Sequence, residues 1–137
     1  YLYSDVHALD VDGGVMITGS HNPGDENGFK IMRGKGSFFG ADIQTLRAAI
    51  ESGSGLPGAA APVEPGSVTS VEHRDAYIQR VTEGIRLART DIPFVVDAGN
   101  GAAGPLALAC MRRLGLSPAP LFCEMDGRFP NHHPDPT

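Results

Sequence analysis

Residues 92–124 restrict the fold more than any other part of the chain, because two predicted strands flank a predicted helix there. Residues 92–97, "IPFVVD", are apolar and rich in β-branched side chains, and the glycine-rich turn "AGNGAAG" follows them. Pro105 suits the first turn of a helix, which "LALACMRRLG" continues to Gly115. "APLFCE" predicts the next strand. A strand, helix and strand in this order favour parallel pairing, so we predict an α/β protein with mixed, mainly parallel sheets and flanking helices.

The first part of the chain predicts two short strands that enclose a polar loop. The apolar segments "VMIT" and "FKIM", residues 15–18 and 29–32, are the predicted strands, and the first follows the turn residues Asp12-Gly13-Gly14. Residues 19–28 between them contain the glycine, proline and asparagine residues typical of turns. The glycines that follow the second strand predict more loop.

Two further helices are separated by a long connection. Apolar residues at helical spacing predict one helix over residues 42–52, with Asp42 as its N-cap and Gly53 as its stop. The same spacing predicts another helix over residues 74–89. Residues 53–70 between them are rich in glycine, proline, alanine and serine, which is typical of a surface connection at a domain boundary.

The composition is that of an ordinary globular protein. Of the 137 residues, 41% are hydrophobic and 20% charged, and the formal net charge is −5. The lysines and arginines are scattered, so we expect no nucleic-acid partner. No apolar run approaches the ~18 residues that cross a bilayer, so we expect no membrane partner. Cys110 and Cys123 are expected to be unpaired thiols of a reducing compartment, the first in a helix and the second in a strand.

Ser20 is the main candidate for chemistry. It follows a buried strand and stands beside Gly19, which leaves room for a bulky group to approach the hydroxyl. Asn22 precedes Pro23 and is therefore disfavoured in a helical conformation. A serine is a weak nucleophile unless a base or a cation activates it, and His21 and Lys30 are the nearby basic residues.

Three chemistries fit this loop, beside a purely structural role in which Ser20 and Asn22 cap their own backbone. Acyl transfer lacks its usual G-x-S-x-G motif, because Thr18 and Asn22 occupy the two glycine positions. Passive anion binding would use the hydroxyl and backbone N–H groups. Phosphoryl transfer through a phosphoserine would need a cation for the phosphoryl oxygens and an acid or base for a sugar hydroxyl. The residue pattern alone leaves these possibilities open.

Three segments resemble one family. "GVMITGSHNPGDENGFKI" is similar to the phosphoserine loop of the α-D-phosphohexomutase family, whose members carry T-[AG]-S-H-N-P followed by N-G-F-K or a close variant. "VVDAGNGAAG" resembles the opening of that family's second domain, and "LFCEMDGRFPNHHPDP" resembles the segment before its metal-binding part. The three segments follow the family's order and span essentially the whole chain. The resemblance is closest to the bacterial phosphomannomutase/phosphoglucomutase type.

The resemblance implies an isomerase that interconverts hexose 1-phosphate and hexose 6-phosphate, with glucose or mannose as the sugar. Ser20 would carry the phosphoryl group, and a bisphosphorylated sugar such as glucose 1,6-bisphosphate would be the intermediate and activator. Lys30 would give electrostatic or proton-transfer support, and His21 would position the group or act as general acid or base. Gly19 and Asn22 would position the loop. An oxygen of the phosphoserine would be a ligand of Mg²⁺, which prefers oxygen ligands.

The resemblance also implies a piece of a longer cytoplasmic enzyme. Residues 1–70 correspond to the later part of domain I, residues 71–90 to a junction helix, and residues 91–137 to the first part of domain II. The family's acidic metal loop, sugar-recognition loop and phosphate-binding loop are not in this sequence. The remaining Mg²⁺ ligands would therefore lie outside it, and the chain alone is expected to be inactive. Its expected partners are the phosphosugar and the remaining domains of the same enzyme.

A dinucleotide-binding, Rossmann-like module is the first alternative. "GNGAAG", from Gly99 to Gly104, matches G-x-G-x-x-G between a strand and a helix, and Glu124 and Asp126 lie about 20 residues further on, as that fingerprint expects. Asp97, however, would place a carboxylate at the strand end where a pyrophosphate would sit. We therefore expect ordinary strand-to-helix packing here. A module that binds phosphate without turnover is the second alternative.

The segment "NHHPDP" offers His132, His133 and Asp135 as conceivable zinc ligands. Adjacent histidines between prolines lack the i, i+4 spacing of helix-borne zinc sites. We expect a rigid structural loop instead.

Overall fold

The structure, a computed structural model, describes residues 1–19, 22, 25–53 and 66–133. They belong to two compact units, Tyr1–Ile17 with Phe29–Glu72 and Thr18–Gly28 with His73–Thr137. Within these described ranges, no helix is both long and apolar enough to cross a bilayer.

The first unit is built on a small sheet with the strand order β1-β2-β3. Its elements in chain order are α1 (Leu2–Ala8), β1 (Gly13–Thr18), β2 (Gly28–Arg33), β3 (Gly36–Ser37) and α2 (Ala41–Glu51). The strand ends Thr18 and Gly28 are grouped with the second unit. Strands β2 and β3 pair antiparallel through a two-residue loop, and glycine at the first loop position (Gly34, φ +54°) suits such a hairpin.

The core of the first unit forms where α1 packs on the sheet. Leu2 and Val6, one helical turn apart, are buried together with Met32 of β2, and Met16 of β1 packs against them. Gly14 makes this packing possible, since a Cβ there would lie 2.7 Å from Leu2 and 2.8 Å from Val6. A glycine in β1 therefore lets the helix approach the strand closely.

Several predictions for the first unit need correction. Helix α1 and strand β3 were not predicted from the sequence, and β1 begins at Gly13, inside the expected turn. The N-cap of α2 is Gly40, not Asp42, whose carboxylate lies 3.5 Å from Arg33 on the surface. The strands "VMIT" and "FKIM" are confirmed within wider bounds, and Gly53 adopts a positive φ just after α2, as a helix stop does.

The second unit contains α3 (Arg74–Thr82), β4 (Val95–Asp97), α4 (Gly104–Arg113) and β5 (Ala119–Leu121). Strands β4 and β5 pair in parallel, with Val95 opposite Ala119 and Asp97 opposite Leu121. The predicted strand–helix–strand unit is confirmed, including Pro105 in the first turn of α4. Helices α3 and α4 contact each other, and Ile78, Leu108 and Cys123 are buried.

Helix α3 ends seven residues before the predicted end. Thr82 is buried and its hydroxyl donates to the carbonyl of Ile78 at 2.7 Å, while Glu83 is extended and Gly84 has a φ of +80°. A glycine in the left-handed region ends a helix, so the apolar residues beyond it did not extend α3. Cys123 lies after β5 instead of within a strand, and both cysteines are free.

Candidate functional site

The candidate loop connects β1 to β2, but residues 20, 21, 23 and 24 within it lie outside the described part. Ser20 and His21, the predicted phosphoryl carrier and its neighbour, are among those residues. The loop's base is described: Gly28 lies so close to Thr18 that a Cβ on it would be 3.0 Å from the Thr18 carbonyl oxygen. The two ends of the loop are therefore in contact at its base.

The residues that flank Ser20 and His21 approach each other through the backbone. The N–H of Asn22 donates to the carbonyl of Gly19 at 2.9 Å, and Asn22 is half-buried. Gly19 is exposed, and a Cβ built on it meets no described atom within 4 Å. Gly19 therefore leaves space on its own side of the loop among the described residues.

Lys30 lies in β2 and is exposed. It follows Gly28 by two residues, and Gly28 contacts Thr18, which precedes Ser20 by two residues. Among the described carboxylates, none lies within ion-pair distance of Lys30. The ammonium group is thus not neutralised by these carboxylates.

Metal ligands are sparse in the described part of the chain. No group of three His, Cys, Asp or Glu side chains comes together there in a way that could hold a metal ion. Of the conceivable zinc ligands, His132 lies 3.2 Å from Asp97 and His133 is exposed, whereas Asp135 lies outside the described residues. The described residues therefore do not supply a metal site by themselves.

The glycine-rich turn after β4 packs against the chain's own residues. Gly99 has a φ of +51°, and a Cβ on it would lie 2.5 Å from the His132 ring. Gly104 lies against the backbone carbonyl of Cys123. In a dinucleotide site such glycines let the backbone approach a pyrophosphate, whereas here they admit an imidazole and a neighbouring strand end. This geometry accounts for "GNGAAG" by internal packing, as expected from the sequence.

Asp97 and His132 form the polar contact of this turn. The carboxylate of Asp97 accepts from the Gly99 N–H at 2.8 Å and from Nε2 of His132 at 3.2 Å, and the His132 ring meets Phe122 edge-on at 5.9 Å. The hydrogen bond from Gly99, followed by that from His132, holds the pKa of Asp97 below its usual value. Both donors therefore stabilise the ionised form of Asp97.

Asn100 joins the turn to residues 122–131. Its N–H donates to Phe122 at 2.7 Å and its carbonyl accepts from Asp126 at 3.0 Å. Its side-chain amide donates to the Glu124 carbonyl at 2.9 Å and accepts from Asn131 at 2.7 Å. Asn100 is 8% exposed and has a φ of +60°, which asparagine tolerates better than most residues. Sequence reasoning missed this role, although an asparagine between two glycines is a usable signal for a left-handed turn.

The two halves of the chain match consecutive domains of one protein class. The profile for "Phosphoglucomutase/phosphomannomutase, alpha/beta/alpha domain I" matches residues 1–55, and that for alpha/beta/alpha domain II matches residues 75–137. The chain belongs to the phosphoglucomutase/phosphomannomutase family. The resemblance predicted from the sequence and the α/β class are both confirmed.

Individual relatives agree with this assignment. A phosphomannomutase/phosphoglucomutase of Pseudomonas aeruginosa is 43% identical over 135 residues, which is 98% of this chain and 28% of that relative. A phosphoglucomutase of Neisseria meningitidis serogroup B is 47% identical over 124 residues, or 90% of this chain and 26% of the relative. The crystal structure of a phosphoglucomutase/phosphomannomutase family protein from Burkholderia thailandensis superimposes with a TM-score of 0.79 at 41% identity, covering 93% of this chain and 26% of that one. The chain thus spans between a quarter and a third of the length of these relatives.

Proposed function

We propose that this chain supplies the phosphoryl-carrying part of a phosphohexomutase that interconverts hexose 1-phosphates and hexose 6-phosphates of glucose or mannose. Phosphorylated Ser20 gives its phosphoryl group to the free hydroxyl of the sugar monophosphate: the bond from phosphorus to the sugar oxygen forms and the bond to the serine oxygen breaks. The bisphosphorylated sugar then reorients and returns its other phosphoryl group to Ser20. Phosphate is conserved, and the net change is isomerisation.

Each neighbour of Ser20 has a proposed role in this cycle. Lys30 provides positive charge that offsets the charge on the phosphoryl oxygens in the transition state. His21 positions the group or accepts the proton of the attacking sugar hydroxyl and returns it in the reverse step. Gly19 leaves the approach open, and Asn22 holds the turn. The open space at Gly19 and the absence of a described carboxylate partner for Lys30 support these roles.

The metal is shared with residues outside this sequence. When Mg²⁺ is bound it supplies positive charge next to the transferring phosphoryl group, and the phosphoserine of this chain would contribute one oxygen ligand. Glucose 1,6-bisphosphate is the proposed activator, since it can restore phosphate to a dephosphorylated Ser20.

We also propose a division of the chain along the lines of the resemblance. Residues 1–70 are the later part of domain I, residues 71–90 join it to domain II, and residues 91–137 begin domain II. The remaining domains of the same cytoplasmic enzyme are then the partners of this chain. On this proposal the chain alone has no turnover.

One observation carries the proposal: "TGSHNP" begins at the last residue of β1, in a chain whose two halves match domains I and II of the family in order. The first test replaces the matching segment of the Pseudomonas aeruginosa relative by this chain. The hybrid should interconvert glucose 1-phosphate and glucose 6-phosphate when glucose 1,6-bisphosphate is added.

The decisive comparison within the hybrid is Ser20→Ala against Ser117→Ala. Ser117 is an exposed serine between α4 and β5 and serves as the matched control. Ser20→Ala should abolish turnover, whereas Ser117→Ala should keep it. A hybrid that works equally well with alanine at position 20 would exclude Ser20 as the phosphoryl carrier.

A further inference from the structure

The chain contains two Asn-Gly pairs whose environments are opposite. Asn27-Gly28 ends the candidate loop, and Asn100-Gly101 lies in the turn after β4. Asparagine followed by glycine is chemically reactive, because glycine has no side chain to hinder attack of its backbone nitrogen on the asparagine amide. Whether the attack occurs depends on how firmly the two reacting groups are held.

Both reacting groups of the second pair are held. The carboxamide of Asn100 is buried and bonded to Glu124 and Asn131. The attacking nitrogen, that of Gly101, donates to the carbonyl of Ala98 at 2.8 Å. Attack at Asn100 would require all three bonds to break in a partly buried place.

The carboxamide of the first pair lacks this protection, although Gly28 lies in β2 close to Thr18. Asn27 is exposed, lies outside any helix or strand, and its carboxamide forms no hydrogen bond with the described residues. Gly28 is the first residue of β2, and strand ends open at little cost in free energy. The side chain and the following nitrogen can therefore reach each other far more often than at Asn100.

We propose that Asn27 is a site of spontaneous deamidation in the candidate loop. The Gly28 nitrogen loses its proton and attacks Cγ of Asn27, so that a nitrogen–carbon bond forms, the bond from Cγ to Nδ2 breaks, and ammonia leaves with the proton. Water then adds to the resulting succinimide. The product is aspartate, or isoaspartate in which the main chain runs through the former side-chain carbon. No oxidant or reductant is involved.

The consequence for activity rests on the proposed function. Asp25 and Glu26 already place two exposed carboxylates just before Asn27. Deamidation adds a third negative charge to the loop that would carry a phosphoryl dianion on Ser20. Like charges repel, so the product should support phosphoryl transfer less well. The enzyme would thus lose activity as Asn27 deamidates over time.

The test measures the modification directly. The purified protein is held in warm, mildly alkaline water enriched in heavy oxygen, and peptide mass spectrometry follows the label and the amide loss at both asparagines. Product at position 27 should accumulate roughly tenfold faster than at position 100, because a closed amide reacts only when its structure opens. The Asn131→Ala variant should speed the reaction at position 100 and leave that at position 27 unchanged.

Equal rates at the two positions, or faster reaction at Asn100, would overturn the proposal. The effect on turnover is read separately in the hybrid enzyme, where Asn27→Asp should reduce turnover by a few-fold and Asn27→Gln should not. Because the peptide measurement does not involve the sugar reaction, its result is independent of whether Ser20 carries phosphate. Equal turnover of the two variants would remove the link to activity.

Discussion

Of the three proposed catalytic residues, Lys30 is the one that the structure describes. Replacing it by methionine keeps the length of the side chain but removes its charge. In the hybrid enzyme, Lys30→Met should slow turnover by about 10²-fold, the effect of losing one group that stabilises transition-state charge. Steady-state kinetics with saturating glucose 1,6-bisphosphate would measure it.

Lys35 provides the matched control for this change. It is an exposed lysine between β2 and β3. Lys35→Met should leave the rate within about twofold of the parent, as expected for a surface change with ΔΔG near zero. If both variants were equally active, Lys30 would be a structural residue only.

Asp126 and Arg128 allow a prediction about acid stability. Nε and Nη2 of Arg128 donate to the carboxylate of Asp126 at 2.9 and 2.6 Å, and the Arg128 N–H donates at 3.0 Å. These contacts, the side-chain bond first, lower the pKa of Asp126 from 3.8 to about 2. Because the folded-state pKa is depressed, the contribution of Asp126 to stability is present above its unfolded pKa and is lost as pH falls towards the folded value.

Urea midpoints measured across this pH range would test the pair. The difference in urea midpoint between the protein and its Asp126→Asn variant should be constant above pH 3.8. It should shrink as the pH falls to about 2. Arg128→Gln should reduce this pH dependence, while the backbone hydrogen bond from residue 128 keeps part of it. A difference that stays unchanged through this window would mean that the pair does not contribute in solution.

At the residue scale, the sequence predicted candidate reacting groups but not the tertiary contacts of the turn after β4. The resemblance singled out Ser20, His21 and Lys30, and turn chemistry alone predicted a polar loop before "FKIM". The sequence did not predict that Asn100 would form hydrogen bonds with four residues, since these lie 22 to 31 positions further along the chain. Contacts of this kind depend on tertiary packing and have no local periodicity.

At the scale of elements, the turn after β4 is stabilised by a steric fit between Gly99 and His132. Gly99→Ala should cost about 1 kcal/mol for its positive φ and about 1–3 kcal/mol more for overpacking against the imidazole. Gly53→Ala is the matched control, because Gly53 has a φ of +61° but a Cβ there meets no described atom within 4 Å. Chemical denaturation of both variants would measure the difference.

The double variant Gly99→Ala with His132→Ala separates the two contributions. Removing the imidazole should restore the stability that Gly99→Ala loses to overpacking, so that only the cost of the positive φ remains. If Gly99→Ala and Gly53→Ala were equally destabilising, the proposed contact between Gly99 and His132 would not form in solution.

Elements with strong local signals were predicted well, and elements fixed by packing were not. The pattern of β4, α4 and β5 was predicted because Pro105 and Gly115 bound an apolar helix between two β-rich runs. Helix α1 was missed because only Leu2 and Val6 of its seven residues are buried, too few to establish a period. Helix α3 was overextended because the apolar pattern continues past Gly84, where the backbone leaves the helix.

At the scale of the whole molecule, the first and second parts of the chain match the family's domains I and II, over residues 1–55 and 75–137. The chain spans between a quarter and a third of the length of its relatives. We expect the phosphoryl group, the metal ligands and the sugar-recognition residues to come together only in the longer polypeptide.

The most direct measurement is to locate the phosphoryl group. The hybrid enzyme, treated with glucose 1,6-bisphosphate and stopped by acid, would be digested and its phosphopeptide sequenced by mass spectrometry. We predict one phosphoryl group on Ser20. If that group is isotopically labelled, an excess of unlabelled glucose 1-phosphate added before the stop should move the label into the sugar phosphate while Ser20 stays phosphorylated. Turnover with Ser20 unmodified throughout, or with phosphate on another residue, would contradict the account.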